Sequence, residues 1–149
     1  MITQIREISI AVQNLDEALG SFRQKLCLEP AETQFHSRPP VESRTVTFRV
    51  GDACLALMES TTLGSPVDRF VRRRGEGLFS VSLAVDDLAA ATAHLRRQGV
   101  DLVLDAPLVF RGFRAFDGTY RRAEMNFTRP RSFHGVVFEL QELGERSHE

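Results

Sequence analysis

Tryptophan is absent from the 149 residues, tyrosine occurs once, cysteine twice and lysine only as Lys25. Two cysteines cannot make the disulfide framework of a small secreted scaffold or, by themselves, a structural zinc site. Cys27 and Cys54 lie between apolar neighbours, so both are expected to be buried thiols. No apolar run is long enough for a membrane span, and the first ten residues carry Arg6 and Glu7 where a signal peptide would be apolar. A cytoplasmic protein without a membrane partner is the expectation. A net charge of −1 gives no bulk attraction to nucleic acid. What remains is ordinary for one globular domain over 1–149: 42% hydrophobic and 26% charged residues. The near-total use of Arg over Lys is an ordinary outcome of GC-rich coding, although Arg also grips carboxylates and phosphates with a planar fork.

The chain repeats itself. Residues 8–12 are a β-rich run, and Asn14 then caps a helix whose first turn holds Asp16 and Glu17. Leu15, Ala18, Leu19, Phe22 and Leu26 form its apolar stripe. Residues 81–91 match this segment position for position, 73 residues later, with Asp87 in the place of Asn14 and Leu95 in the place of Phe22. That second helix should stop at Gly99. The later halves match too. Residues 45–50 and 53–59 read as strands around the Gly51-Asp52 turn, and 122–128 and 136–140 as strands around Phe133-His134-Gly135. Residues 55–59 align with 138–142 at an offset of 83, so the second copy carries about ten extra residues. One such unit cannot bury its apolar face alone, so two copies must pair around a shared cleft. The organisation expected is module one 1–63, a polar, turn-rich linker 64–77, module two 78–143 and a frayed charged tail 144–149.

These segments resemble the vicinal oxygen chelate superfamily, also called glyoxalase/bleomycin-resistance. The resemblance rests on the strand through Ile5, Glu7, Ile8, Ile10 and Val12, the Val50-Gly51-Asp52 turn, Gly75-Glu76-Gly77 leading to Val85-Asp86-Asp87-Leu88, and 129–140. The nearest branches are methylmalonyl-CoA epimerase and glyoxalase-I-like proteins. The resemblance implies an α+β fold of two tandem βαβββ modules forming a curved, half-open mixed β-barrel with helices outside. It also implies a homodimer and a divalent metal held by four side chains. Those positions fall on Glu7, Ala56, Ser80 and Glu139. The family has His or Gln at the first, Gln, His or Glu at the second, His at the third and Glu at the fourth. Ala56 has no donor atom and Ser80 only a neutral hydroxyl. The cofactor expected is therefore none, or a weakly held Mg, Mn, Co, Ni or Zn on Glu7 and Glu139.

Glu139 and Glu7 are the candidate catalytic carboxylates. If both face one cleft their charges repel and one should titrate late, which suits proton transfer at a carbon acid. The alternative is a pair of solvent-facing strand acids. Ser80 and Ala56 would line the substrate site. Glu42 lies near the place where epimerases keep a second carboxylate, and His134 sits before a turn glycine, where a plain loop role is the alternative. Residues 110–122 interleave Arg111, Phe113, Arg114 and Arg122 with glycines. They read either as an anion- or aromatic-binding cover or as a long hairpin turning at Asp117-Gly118. The Arg72-Arg73-Arg74 run reads as an anion site or a solvated face. Three functions follow. The first is an isomerase, epimerase or lyase acting on an activated carbonyl compound, with an enolate-like intermediate and a small-molecule, anionic or aromatic ligand. The second is a metal-free drug-binding protein of the bleomycin-resistance kind. The third is an extradiol-type dioxygenase, which the lack of two histidine ligands disfavours.

Overall fold

The computed structural model describes residues 1–147, and the tail residues His148 and Glu149 lie outside the described residues. The chain divides into two compact units: Glu7–Phe79, and Met1–Arg6 together with Ser80 onward. Strand β1 (Ile2–Ala11) contributes its first residues to the second unit and the rest to the first.

The first unit continues with α1 (Leu15–Leu26), β2 (Gln34–His36), β3 (Ser43–Val50), β4 (Ala53–Ser60) and α2 (Pro66–Arg74). Its strands lie in the order β2-β3-β4-β1, with β1 parallel to β4 and the other pairs antiparallel. Strand alternation sorts the side chains. Ile10, Val12, Val46, Phe48, Leu55 and Leu57 meet Leu15 and Phe22 of α1 in one core. Phe48 and Leu57 are fully buried, and each contributes about 2–3 kcal/mol by leaving water. Glu7, Ser9, Cys54, Ala56, Thr45 and Thr47 take the alternate positions and share the opposite face.

The second unit holds β5 (Gly77–Val85, from Ser80 on), α3 (Leu88–Arg97), β6 (Leu108–Ala115), β7 (Gly118–Phe127) and β8 (Val137–Leu143). Its order is β5-β8-β7-β6, with β5 parallel to β8. Here Leu83, Val85 and Leu140 meet Leu88, Ala91 and Leu95 of α3. The α+β class and the two tandem copies expected from the repeat are what the fold shows.

The symmetry extends to the helix starts. Asn14 caps α1 through the Glu17 N–H, and Asp87 caps α3 through the Ala90 N–H. A carboxylate from the last strand of each unit accepts the first helical N–H: Glu59 from Leu15 at 2.6 Å and Glu142 from Leu88 at 2.7 Å. These bonds satisfy donors the helix cannot pair itself.

Four expectations need correction. Residues 64–77 are not simply a turn-rich linker, because α2 occupies 66–74. Its start is Ser65, whose side chain accepts from Asp68, followed by Pro66 at the first helical position. Val67, Phe70 and Val71 form the stripe that packs on Ala11, Met58 and Phe79. The Arg72-Arg73-Arg74 run is its exposed last turn, with Arg72 reaching back to Asp68. Cys27 is exposed while Cys54 is buried as expected. Cys27 stands in the left-handed conformation that ends α1 (φ 54°), and the neighbouring Leu26 also lies outside the core. The tail does not fray as far as Ser147. The Arg121 N–H donates to the Glu145 carbonyl and the Ser147 N–H to the Thr119 carbonyl, so the tail docks on β7. Finally, 110–122 is the long hairpin of the second reading, but it turns one residue earlier than Asp117-Gly118. It lies within the β6–β7 hairpin, whose turn passes through Phe116 and Asp117.

Candidate active site

Two clusters of functional side chains lie on the strands, one in each unit. In the first, the Glu7 carboxylate accepts a hydrogen bond from the Ser9 hydroxyl at 2.8 Å. It also accepts one from the Cys54 thiol at 3.5 Å. Register explains this: Glu7 and Cys54 are directly opposite across parallel strands, and Ser9 is two residues along on the same face. Ser9 faces Ala56, whose methyl group is completely buried. Glu42 is half-buried just before β3, and its carbonyl accepts the Thr61 N–H.

In the second unit, Glu139 and Ser82 are opposite one another in the β5–β8 register, and Ser80 stands two residues before Ser82. Glu139 is half-buried and accepts a hydrogen bond from the Gln141 side-chain amide. Ser80 is 5% exposed and Ser82 is completely buried. The Ser82 hydroxyl finds no hydrogen-bond partner among the described residues. A buried hydroxyl without a protein partner costs about 1–3 kcal/mol, which sets Ser82 apart from the other strand hydroxyls.

The hairpin residues go elsewhere. Arg111 and Arg114 are exposed on β6, and Phe113 packs against Phe110. Arg122 forms an exposed ion pair with Glu124 at 2.6 Å. His134 is exposed in the left-handed conformation (φ 53°) that closes the 3-10 turn Pro130–Phe133.

Sequence reasoning passed over the strongest charge cluster. Asp117 accepts both terminal nitrogens of Arg6, at 2.9 and 2.7 Å. It also accepts the Tyr120 hydroxyl at 3.0 Å and Arg146 at 2.6 Å. Arg6 lies over the Phe116 ring, 4.7 Å from its centroid. Burial pushes the Asp117 pKa up, but the Arg6 and Tyr120 hydrogen bonds and the Arg6 and Arg146 charges outweigh it. Its pKa falls to about 2. The guanidinium of Arg6 is held protonated by the same contacts against the burial that opposes them. With both side chains under 10% exposed, this is a structural lock rather than a ligand site. No sequence signal joins residues 111 positions apart.

The family's metal can be tested against these residues. Of its four positions, Ala56 supplies a methyl group and Ser80 a hydroxyl, a poor ligand for the metals that imidazole selects. The two carboxylates already accept protein donors. Among the described residues, no three His, Cys, Asp or Glu side chains gather into a metal-binding group. The donor set does not fit a family-type metal.

The scaffold has solved relatives. Methylmalonyl-CoA epimerase from Mycobacterium tuberculosis is 27% identical, with a TM-score of 0.78 over 97% of this chain and 90% of that one. Streptomyces coelicolor methylmalonyl-CoA epimerase in complex with 2-nitronate-propionyl-CoA is 26% identical, with a TM-score of 0.78 over 95% of this chain and 98% of that one. A hypothetical protein of Bacillus halodurans, 24% identical, matches with a TM-score of 0.79 over 98% of each chain and shows the fold alone. A family model matches residues 4–126, and the chain belongs to the Glyoxalase/Bleomycin resistance protein/Dioxygenase superfamily.

Proposed function

We propose that the protein is an epimerase-type isomerase that moves a proton at the carbon next to an activated carbonyl, without a family-type metal. The substrate class is an acyl-coenzyme A thioester, by analogy with the two epimerases above 25% identity. The observation that carries the reading is the unsatisfied Ser82 hydroxyl opposite Glu139.

In the proposed reaction a Glu139 oxygen takes the α-proton. The C–H bond breaks, its electron pair forms the C=C bond of an enolate, and the thioester carbonyl gains negative charge. The Ser82 O–H, which has no partner among the described residues, donates to that oxygen and so stabilises charge that exists only after deprotonation. The Gln141 amide holds the Glu139 carboxylate in one rotamer. Water adds a proton to the opposite face of the enolate and Glu139 releases the proton it took to solvent, which completes epimerisation. On the first unit, Glu7, held by Ser9 and Cys54, is a separate candidate carboxylate.

The test is exchange of the α-proton of methylmalonyl-CoA in D2O, followed by NMR, with metal content measured on the same sample. Exchange that persists after chelation is expected, with Glu139→Gln slowing it by about 100-fold or more and Ser82→Ala by about 10-fold. Exchange that occurs only with added metal would overturn the metal-free mechanism. If thioester binds with no exchange under either condition, the epimerase reading fails and the metal-free binding reading replaces it.

A further inference from the structure

The second unit contains a cavity of about 230 Å3, partly open to solvent, between α3, the helix-facing side of β5 and β8, the 3-10 turn, and Met1 with Ile2. The repeat explains why it exists. In the first unit, Phe22 of α1 stacks on Phe48 of β3 with ring centroids 6.0 Å apart, and this pair fills the space between helix and sheet. Phe22 corresponds to Leu95 at the 73-residue offset. Phe48 is opposite Leu55, which corresponds to Phe138 at the 83-residue offset. The residue opposite Phe138 is Thr128, whose N–H donates to the Phe138 carbonyl at 2.9 Å. The second unit therefore puts Leu and Thr where the first has two phenyl rings, and Leu95 and Thr128 both line the cavity. Phe138 is larger than Leu55, but its ring packs edge-on against Phe133 at 5.2 Å and forms a wall instead of filling the space.

The wall chemistry defines an occupant. The hydroxyl of Thr128 accepts the Phe138 N–H at 3.0 Å, and the surface offered to the cavity is apolar. These walls offer water no hydrogen-bond partner, so water there gives way readily to an apolar guest. An apolar cavity of about 150 Å3 is enough to take up benzene. We propose that this cavity is a binding site for a small, neutral, single-ring aromatic molecule, which occupies the space that the Phe22–Phe48 pair fills in the first unit. Phe133 and Phe138 supply aromatic walls for ring-to-ring contact. The site uses none of the residues of the proposed active site.

Fluorobenzene is the probe, titrated into the full chain and followed by fluorine NMR and thermal unfolding. The expected results are a saturable shift of the fluorine signal and a raised Tm. Both should be lost in Leu95→Phe, which rebuilds one missing ring, and kept in Glu139→Gln. Failure of the folded wild-type chain to show saturable binding would overturn the proposal. So would undiminished binding by a folded Leu95→Phe protein. Should that variant fail to fold, crystals of the wild-type chain under xenon decide: xenon between Leu95, Thr128 and Phe138 supports the site, and its absence there refutes it.

Discussion

Arg6 and Asp117 illustrate how little a side chain's type says about its role until its partner is known. Arg6 resembles any strand-edge cation in the sequence, yet its side chain is 6% exposed and bound at both terminal nitrogens. Removing one member of such a pair strands the other as a buried charge. Asp117→Asn is therefore expected to cost about 3–5 kcal/mol in chemical denaturation. The double replacement Arg6→Met with Asp117→Leu should recover part of that loss, because it removes both charges together. The Glu7 and Glu139 positions were legible as strand carboxylates in the repeat. Their hydrogen-bond partners, Ser9, Cys54 and Gln141, emerged only when register placed these side chains on one face. Ser82 carried no signal of its own, since an unsatisfied hydroxyl is a property of its surroundings.

At the scale of elements, the repeat was legible because capping chemistry is local. Asn14 and Asp87 act within three residues of themselves, as the sequence indicated. The second cap at each helix start comes from a strand more than 40 residues away, Glu59 for α1 and Glu142 for α3. Glu142→Ala should cost roughly 1–2 kcal/mol by removing a charged acceptor from a helix N-terminus. Amide exchange should accelerate first in α3, and Glu59→Ala should have the matching effect in α1. Helix α2 is hidden in the turn-rich composition of 64–77, because Gly64-Ser65-Pro66 suits a turn as well as a helix start. Its stripe of Val67, Phe70 and Val71 is short, and packing against Ala11 and Met58 gives it an apolar face to cover.

For the whole molecule, the titrating groups set two limbs of acid sensitivity. Burial lowers the pKa of His36, a half-buried residue at the end of β2. An unfolded chain binds its proton near pH 6.5 while the folded one does not, so the unfolded state binds more protons and stability declines as pH falls below that value. His36→Phe should flatten this limb in urea titrations at pH 5 to 7. The Asp117 pKa is lowered to about 2, so its contribution is complete above about pH 4 and disappears as pH falls toward 2. Asp117→Asn should abolish that second limb, measured by thermal unfolding across the acid range. The sequence by itself determined the two-copy plan, the helix starts Asn14 and Asp87, and the strand positions of Glu7 and Glu139, because periodicity and capping act over a few residues. Tertiary structure alone decided the Arg6–Asp117 lock, the exposure of Cys27, the docking of 144–147 on β7 and the cavity beside Leu95 and Thr128. Each depends on which distant residues share a volume, and related copies of a module can fill that volume differently.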